Sequence, residues 1–481
     1  MPRIENVKRW RDVSAGNIQK VSSDISIPNS VPFSINLLFD KVLGEAVSRE
    51  GTNIIGSQLI AGNACLGLFQ HLDSTAASNK LFAGFNGLMS SSIYDVLGGN
   101  AEVTGLTASA RQHYATFLNT TLMLNGSEKR SYFGGSWSSS GGRLDVGNVP
   151  AGAKFPIEFK DRMYCAVTDR IHYTSTPTSV TANAVSWTAA GSGSLQAEQE
   201  DGGGTIQGLN KVPGYLMIYK QRSLKRWNFD SSFPEDLINI GTQSHDSVVR
   251  ARGKNYFFYG PNGFYETQGG YPKLISRPIQ RIIEGIASSF YSSVNGWSDN
   301  ENIYWSVGDV TVNFDRGYTE TYTNVVLRFH IDSQEWAPLQ YYHIFRALNQ
   351  YISGNDTLIA GGDADGQVLQ LNTGNTDYHA TPKAIKYILQ SPEFDFDFRE
   401  RRKTLAEKIC VHSDLTTGAL LQVRMDYAEW KTIGSLKDVV TEVPINPITA
   451  FVFEFRIADS ITGEQIKLRG LDFPYIDVLA N

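Results

Sequence analysis

Cysteine is scarce: Cys65, Cys165 and Cys410 stand far apart in 481 residues, with no CxxC spacing. That excludes a disulfide framework and a cysteine-based zinc site, and leaves three small core residues. Long apolar runs are missing too. No stretch of about 18 apolar residues occurs and the opening MPRIENVKRWRDVSAG has no apolar signal-like centre, so the expectation is a soluble chain made in a cytoplasm, without membrane insertion. There is no excess of positive charge: 43 Lys and Arg face 49 Asp and Glu, a formal net charge of −6. Tight gripping of nucleic acid needs a concentrated basic footprint, which this balance does not supply. Two local basic clusters, Lys225-Arg226 and RERRK at 399–403, read as solvated surface.

Chemical motifs are equally sparse. There is no GxSxG, no P-loop and no GxGxxG opening a helix, so the sequence offers no nucleophile elbow and no phosphate cradle. The glycine pairs at 134–135, 141–142 and 269–270 sit in turn contexts, where glycine supplies positive φ. The eight histidines (His71, His113, His172, His245, His330, His343, His379 and His412) are scattered, and no HExxH or related metal spacing links them. Asp309, Asp315, Asp332 and Glu335 are available for acid-base work at a funnel, yet nothing in their spacing singles them out. The expectation is a protein that is not an enzyme and carries no cofactor.

What the chain does have is 22 Tyr, 25 Phe and 44 Gly, a supply suited to half-buried strands joined by tight turns. One unit recurs: an apolar strand, a turn of Gly, Asn or Asp, a second strand, then a longer polar connection. The copies are KLFAGFNGLMSSS around Asn86, YATFLNTTLMLNG around Asn119, YCAVTDRIHYTS around Asp169, YLMIYKQRSLKRWNF around Gln221, YFFYGPNGFYETQ around Asn262, IYWSVGDVTVNF around Gly308, and TLIAGGDADGQVLQLNTGN around Asp365. An outer hairpin also fits at Asp332, within TNVVLRFHIDSQEWAPL. Their spacing brackets the roughly 40 to 50 residues of a four-stranded propeller blade. A small sheet cannot bury both faces alone, and radial stacking buries them between neighbours.

The expected fold is all-β: residues 1–60 an N-terminal arm or cap, 61–380 a β-propeller of six to eight blades, and 381–481 a β-sandwich-like domain. The last part rests on alternating strands such as ALLQVRMDYAEWKTIG and FVFEFRIAD. The Gly- and Ser-rich segments 136–152 and 190–208 read as projecting loops, and RPIQRIIEGIASS at 277–289 as a short helix opened by Pro278. The Asp363-Ala364-Asp365-Gly366 turn reads as a chain reversal. Its alternative is a structural calcium held by Asp363 and Asp365, which lacks the closing bidentate Glu of an EF-hand loop. Aromatics in YYHIF at 341–345 and GGYPK at 269–273 suggest the rival reading, a carbohydrate-binding or glycan-cleaving propeller.

Taken in order, VPFSINLLFDKVLGEAVSREGTNIIG (31–56), YKQRSLKRWNFD (219–230), GKNYFFYGPNGFYETQGGYPKLIS (253–276), VVLRFHIDSQEWAPL with GGDADGQVLQL, and RRKTLAEKICVHSDLTTGALLQVRMDYAEWKTIG (401–434) resemble the tail-hub and nozzle proteins of short-tailed bacteriophages. The resemblance implies a structural virion protein of the tail: a homo-oligomeric ring, expected to be a hexamer, below the portal and adaptor. It would contact other tail proteins such as fibres or a needle, line the DNA exit channel with only transient, non-specific contact to passing DNA, and help retain the genome until ejection. It transfers no catalytic or ligand-binding residue.

Overall fold

In the computed structural model, which describes residues 6–11, 13, 31–40, 44–72, 79–177, 184–197, 202–231, 233–314, 318–354, 356–394, 402–405, 407–414, 418–437, 440–458 and 466–477, apolar strands pair through tight turns into seven four-stranded antiparallel sheets. These are the blades of a seven-bladed β-propeller. Six are continuous in sequence, over 65–107, 113–138, 154–196, 206–238, 249–274 and 295–340. The seventh takes three strands from 345–371 and its fourth from far upstream: Thr52–Ile54 pairs with Val368–Leu371, Leu371 opposite Thr52 and Leu369 opposite Ile54. An early strand thus closes the ring beside its last-made neighbour, so the closing blade has no ragged edge.

The core follows from that stacking. Strands with continuous apolar runs, such as Tyr215–Lys220 with Leu216, Met217, Ile218 and Tyr219 all buried, are covered on both faces by neighbouring blades. Each of the seven interblade contacts has its own apolar cluster: Phe82 with Met123 between blades 1 and 2, Leu122 with Cys165 between 2 and 3, Tyr164 with Leu216 between 3 and 4. The series continues with Tyr219 and Phe257, Phe264 and Trp305, Tyr304 and Leu369, and finally Ala360 and Cys65 back to blade 1.

Beyond the ring, an eight-stranded and a five-stranded antiparallel sheet enclose a second core containing Val411, Leu421, Phe455 and Phe473. This is the β-sandwich at the end of the chain, but it is not made by the end alone. Asn6–Arg11 runs antiparallel to Lys467–Asp477, Leu37–Asp40 and Glu45–Ser48 extend the same sheet, and Phe33–Ile35 edges the other. The described part of residues 1–60, expected as an arm or cap, therefore pairs in both bodies. Its polar, turn-rich composition hid short strands, most of whose partners lie hundreds of residues away.

Other expectations shift in detail. Gly308 is no turn: it sits within Asn302–Asn313 at φ 75, where the register slips on both sides, and a Cβ there would meet the Phe290 ring at 2.4 Å. It is a β-bulge, which shares glycine with a turn; the strand runs on to Asn313 before it turns back to pair with Thr319–His330, and the next reversal, at 331–334, contains Asp332. Segments 136–152 and 190–208 hold the outer strands Ser136–Ser138 and Gly193–Gln196, with Leu144, Val146 and Val149 buried under blades 2 and 3. Lys225 is buried against Asp236 at 2.6 Å, not solvated; Arg399 to Arg401 lie outside the described residues. The expected helix is a 3-10 turn, Arg277–Ile279, running into Gln280–Glu284, with Ile279, Ile282, Ile283 and Ile286 buried.

Propeller and sandwich meet at a buried polar joint. Arg49, only 1% exposed, donates from its Nη atoms to both carboxylate oxygens of Asp377 at 2.8 and 2.7 Å, from Nε to Asn36 Oδ1 at 2.9 Å, and also to the Gln340 and Glu50 carbonyls. The guanidinium also stacks 4.0 Å from the Tyr341 ring centroid. Asn36 adopts φ 61, a left-handed conformation asparagine tolerates, and donates to the Lys386 carbonyl while accepting from the Gln340 N–H. A second tie lies nearby. Thr319–His330, in the long hairpin of blade 6, carries Glu320 to Arg456 of the sandwich at 2.8 Å, and Phe33 packs on Phe314 and Tyr322.

Candidate functional site

The Asp363–Gln367 turn of blade 7 is built on a buried carboxylate. Asp363 is fully buried, and its Oδ1 accepts the backbone N–H groups of Asp365 and Gln367 at 2.9 and 2.8 Å. Such side-chain-to-backbone bonds specify a tight reversal. Oδ2 lies 3.0 Å from His343 Nδ1, while His343 Nε2 donates to the Tyr378 carbonyl at 2.9 Å. The carbonyl requires a proton on Nε2, and the carboxylate beside Nδ1 favours the charged ring. Burial lowers the His343 pKa, but Asp363 and the Tyr378 carbonyl, with Asp365 beyond, outweigh it and hold it above the ordinary value. His343, Asp363 and Asp365 are close enough to share an ion; Asp363 Oδ1 is committed to two backbone donors, Oδ2 faces His343 without an aligned hydrogen bond, and Asp365 is exposed. The geometry is that of a buckle, clamped further because Leu59 donates to the Gly366 carbonyl.

The second cluster was not legible by spacing. The first strands of the blades surround an axial cavity of about 250 Å³, lined among others by Gly67, Gln112, Ile157, Leu209, Gly296 and Leu348. It adjoins a polar funnel of about 440 Å³, where Lys154, Gln207 and Gln243 join the wall. Arg111, His113, His245 and Asp246 sit together at the funnel, and the last three also border the axial cavity. His113 opens the first strand of blade 2, His113–Phe117, and His245 and Asp246 belong to the turn His245–Ser247 that leads into blade 5. They are 132 residues apart in sequence (245 − 113) and adjacent only because a propeller brings every first strand to one axis.

Arg111 Nε and Nη2 both bond to Asp246 Oδ2, the former at 2.9 Å, and Nη1 donates to the Arg346 carbonyl of blade 7 at 2.7 Å. Asp246 Oδ1 faces His113 Nδ1 at 3.3 Å, and the two imidazoles meet edge to face with centroids 4.9 Å apart. Burial would raise the Asp246 pKa, but Arg111 and then His113 hold it well below the carboxylate range. Burial, with help from His113, pulls His245 down to about 3, so its imidazole is neutral.

The other sequence candidates do not converge. Asp309 accepts the Asn324 N–H, Asp332 pairs with Arg252, and Glu335 is bonded to Ser333; Asp315 lies outside the described residues. Of the aromatics, Tyr341 and Phe345 are buried, and exposed Tyr271 lies in the turn between the third and fourth strands of blade 5, so they form no common platform. Among the described residues, no helix is long and apolar enough to cross a membrane.

No family model and no curated protein matches this chain. Among solved structures, the extracellular domain of BT4673 from B. thetaiotaomicron aligns with 90% of this chain and 60% of its own, at 10% identity and a TM-score of 0.42. The chain therefore spans less than two thirds of that structure. The RRP9 WD40 repeats align with 68% of this chain and 99% of their own, at 8% identity and TM-score 0.38, and the AfRom2 CNH domain with 67% and 99%, at 13% and 0.39. At such distances the likenesses bear on no site.

Proposed function

We propose that the chain is a non-enzymatic structural subunit of a short-tailed phage tail, a hub or nozzle protein that forms a ring of six copies beneath the portal and adaptor. The observation that carries this reading is the joint at Arg49. Arg49, which follows the sandwich strand Glu45–Ser48, is fully bonded to Asp377 of the connecting hairpin, to Asn36 and to the Gln340 carbonyl of blade 6, a tie suited to a part that must transmit force without hinging. Two further features support it. The axial cavity of about 250 Å³ holds on the order of eight waters and passes no duplex, so the DNA path runs between copies. A net charge of −6 lowers adhesion to a sliding polyanion. The ring would meet fibres or a needle distally and belong to the virion.

The test is assembly. Purified chain mixed with the portal and adaptor proteins encoded beside it should give rings with a central channel in negative-stain images, and a hexamer mass by light scattering. A chain that stays monomeric and ignores both components while binding oligosaccharides on an array would replace this reading with the glycan-binding one.

A further inference from the structure

We propose that His113, His245 and Asp246 bind one divalent transition-metal ion of the zinc class, which bolts blade 2 to the turn entering blade 5 across the propeller axis. The inference does not depend on the tail assignment. One donor atom from each residue lies within 4.8 Å of the other two. The His113 Nδ1 to Asp246 Oδ1 separation of 3.3 Å matches the edge of a tetrahedron, about 3.4 Å for ligands held at about 2.1 Å from zinc. Two imidazole nitrogens and one carboxylate oxygen are a donor set for zinc, cobalt or nickel and a poor one for calcium or magnesium.

An independent sign that the cluster awaits a ligand is its unspent donors. Nδ1 of His113 faces Asp246, buried and without a hydrogen-bond partner, and His113 as a whole is only 7% exposed; Nδ1 of His245, also without a bond, lies against Gly208. The 3.3 Å approach of His113 to Asp246 is not aligned as a hydrogen bond, although it is close enough to count as an ion pair if the imidazole is charged. An ion pair is not what the geometry calls for, because Asp246 already has a full cationic partner. Arg111 occupies Oδ2 twice and leaves Oδ1 facing the imidazoles, the orienting role that outer groups play around a metal. Buried nitrogens left unbonded would each be costly. The funnel on one side and the axial cavity on the other give an entry path and room for a water in the fourth position.

The test uses untagged full-length protein stripped with a chelator and titrated with Co²⁺. One equivalent should bind and produce a visible d–d band, zinc should displace it, and the melting temperature should rise. His245→Asn and Asp246→Asn should each weaken binding at least about tenfold and abolish the thermal gain. Because either variant can fold poorly, the zinc-loaded wild type is examined separately by X-ray absorption, where two imidazole scatterers with oxygen neighbours are expected. No saturable binding at one equivalent, unchanged binding in both variants, or a metal shell without two imidazoles would each overturn the proposal and leave the cluster as an ion pair.

Discussion

Arg49 illustrates how much a single side chain can hold in this protein. Its guanidinium neutralises Asp377 where neither group meets water, so removing one partner strands the other charge. Arg49→Leu is expected to lower stability by about 3–5 kcal/mol, read by chemical denaturation. The Arg49→Leu, Asp377→Leu double variant should lose less than Arg49→Leu alone, since no charge is then left unpaired. Arg49→Lys should recover little, because a point-charge ammonium cannot span both carboxylate oxygens and Asn36 at once. His343 makes a prediction of opposite character. Its pKa is raised in the folded state, so its contribution is fully present below its ordinary value near pH 6.5 and is lost as pH rises through the raised value. Melting curves of wild type and His343→Asn should therefore differ most on the acid side and converge toward alkaline pH; a gap that widens with pH would contradict the raised pKa.

At the scale of elements, the closing blade depends on Gly366. Its φ is 80, and a Cβ there would come 1.6 Å from the Ile60 carbonyl oxygen. Gly366→Ala should therefore cost about 2–4 kcal/mol, backbone strain and overpacking together, with hydrogen exchange accelerated first in Val368–Leu371. By contrast, calcium added to the chelator-treated protein should leave the stability of the Asp363 turn unchanged, as measured by exchange of the Asp365 and Gln367 amides. Elements of this kind were read from sequence with uneven success, for physical reasons. Paired strands buried on both faces, as around Asp169 or Asn262, announce themselves because apolar runs and a φ-positive turn are both local. Outer strands such as Ser136–Ser138 and Gly193–Gln196 pair at one edge and stay partly exposed, so nothing forces an apolar pattern on them. Gly308 misled because a bulge and a turn ask the same of a residue. The axial cluster left no trace at all: the position of His113 and His245 at the axis is set by ring closure, which no local pattern encodes.

For the whole molecule, the joint at Arg49 and the Glu320–Arg456 tie make propeller and sandwich one cooperative unit. Calorimetry should show a single transition for the wild type, and Arg49→Leu should split it into two. Two transitions already in the wild type would mean that the bodies hinge. The seven-bladed count also explains the irregular spacing of hairpins along the chain. The copy at Asn119 joins the first two strands of its blade, whereas those at Asp169, Gln221 and Asn262 join the second and third; a shift of phase there, added to unequal blade lengths, produced the scatter.

The closing strand has a consequence in time as well as in space. Thr52–Ile54 leaves the ribosome early, yet its partner Val368–Leu371 follows about 300 residues later, on the order of 15–60 s at about 5–20 residues per second. Asn6–Arg11 waits longer still, until Lys467–Asp477 is made. Until those partners are made the early strands stay unmated, so the propeller closes only after Leu371 is synthesised and the sandwich only after Lys467–Asp477.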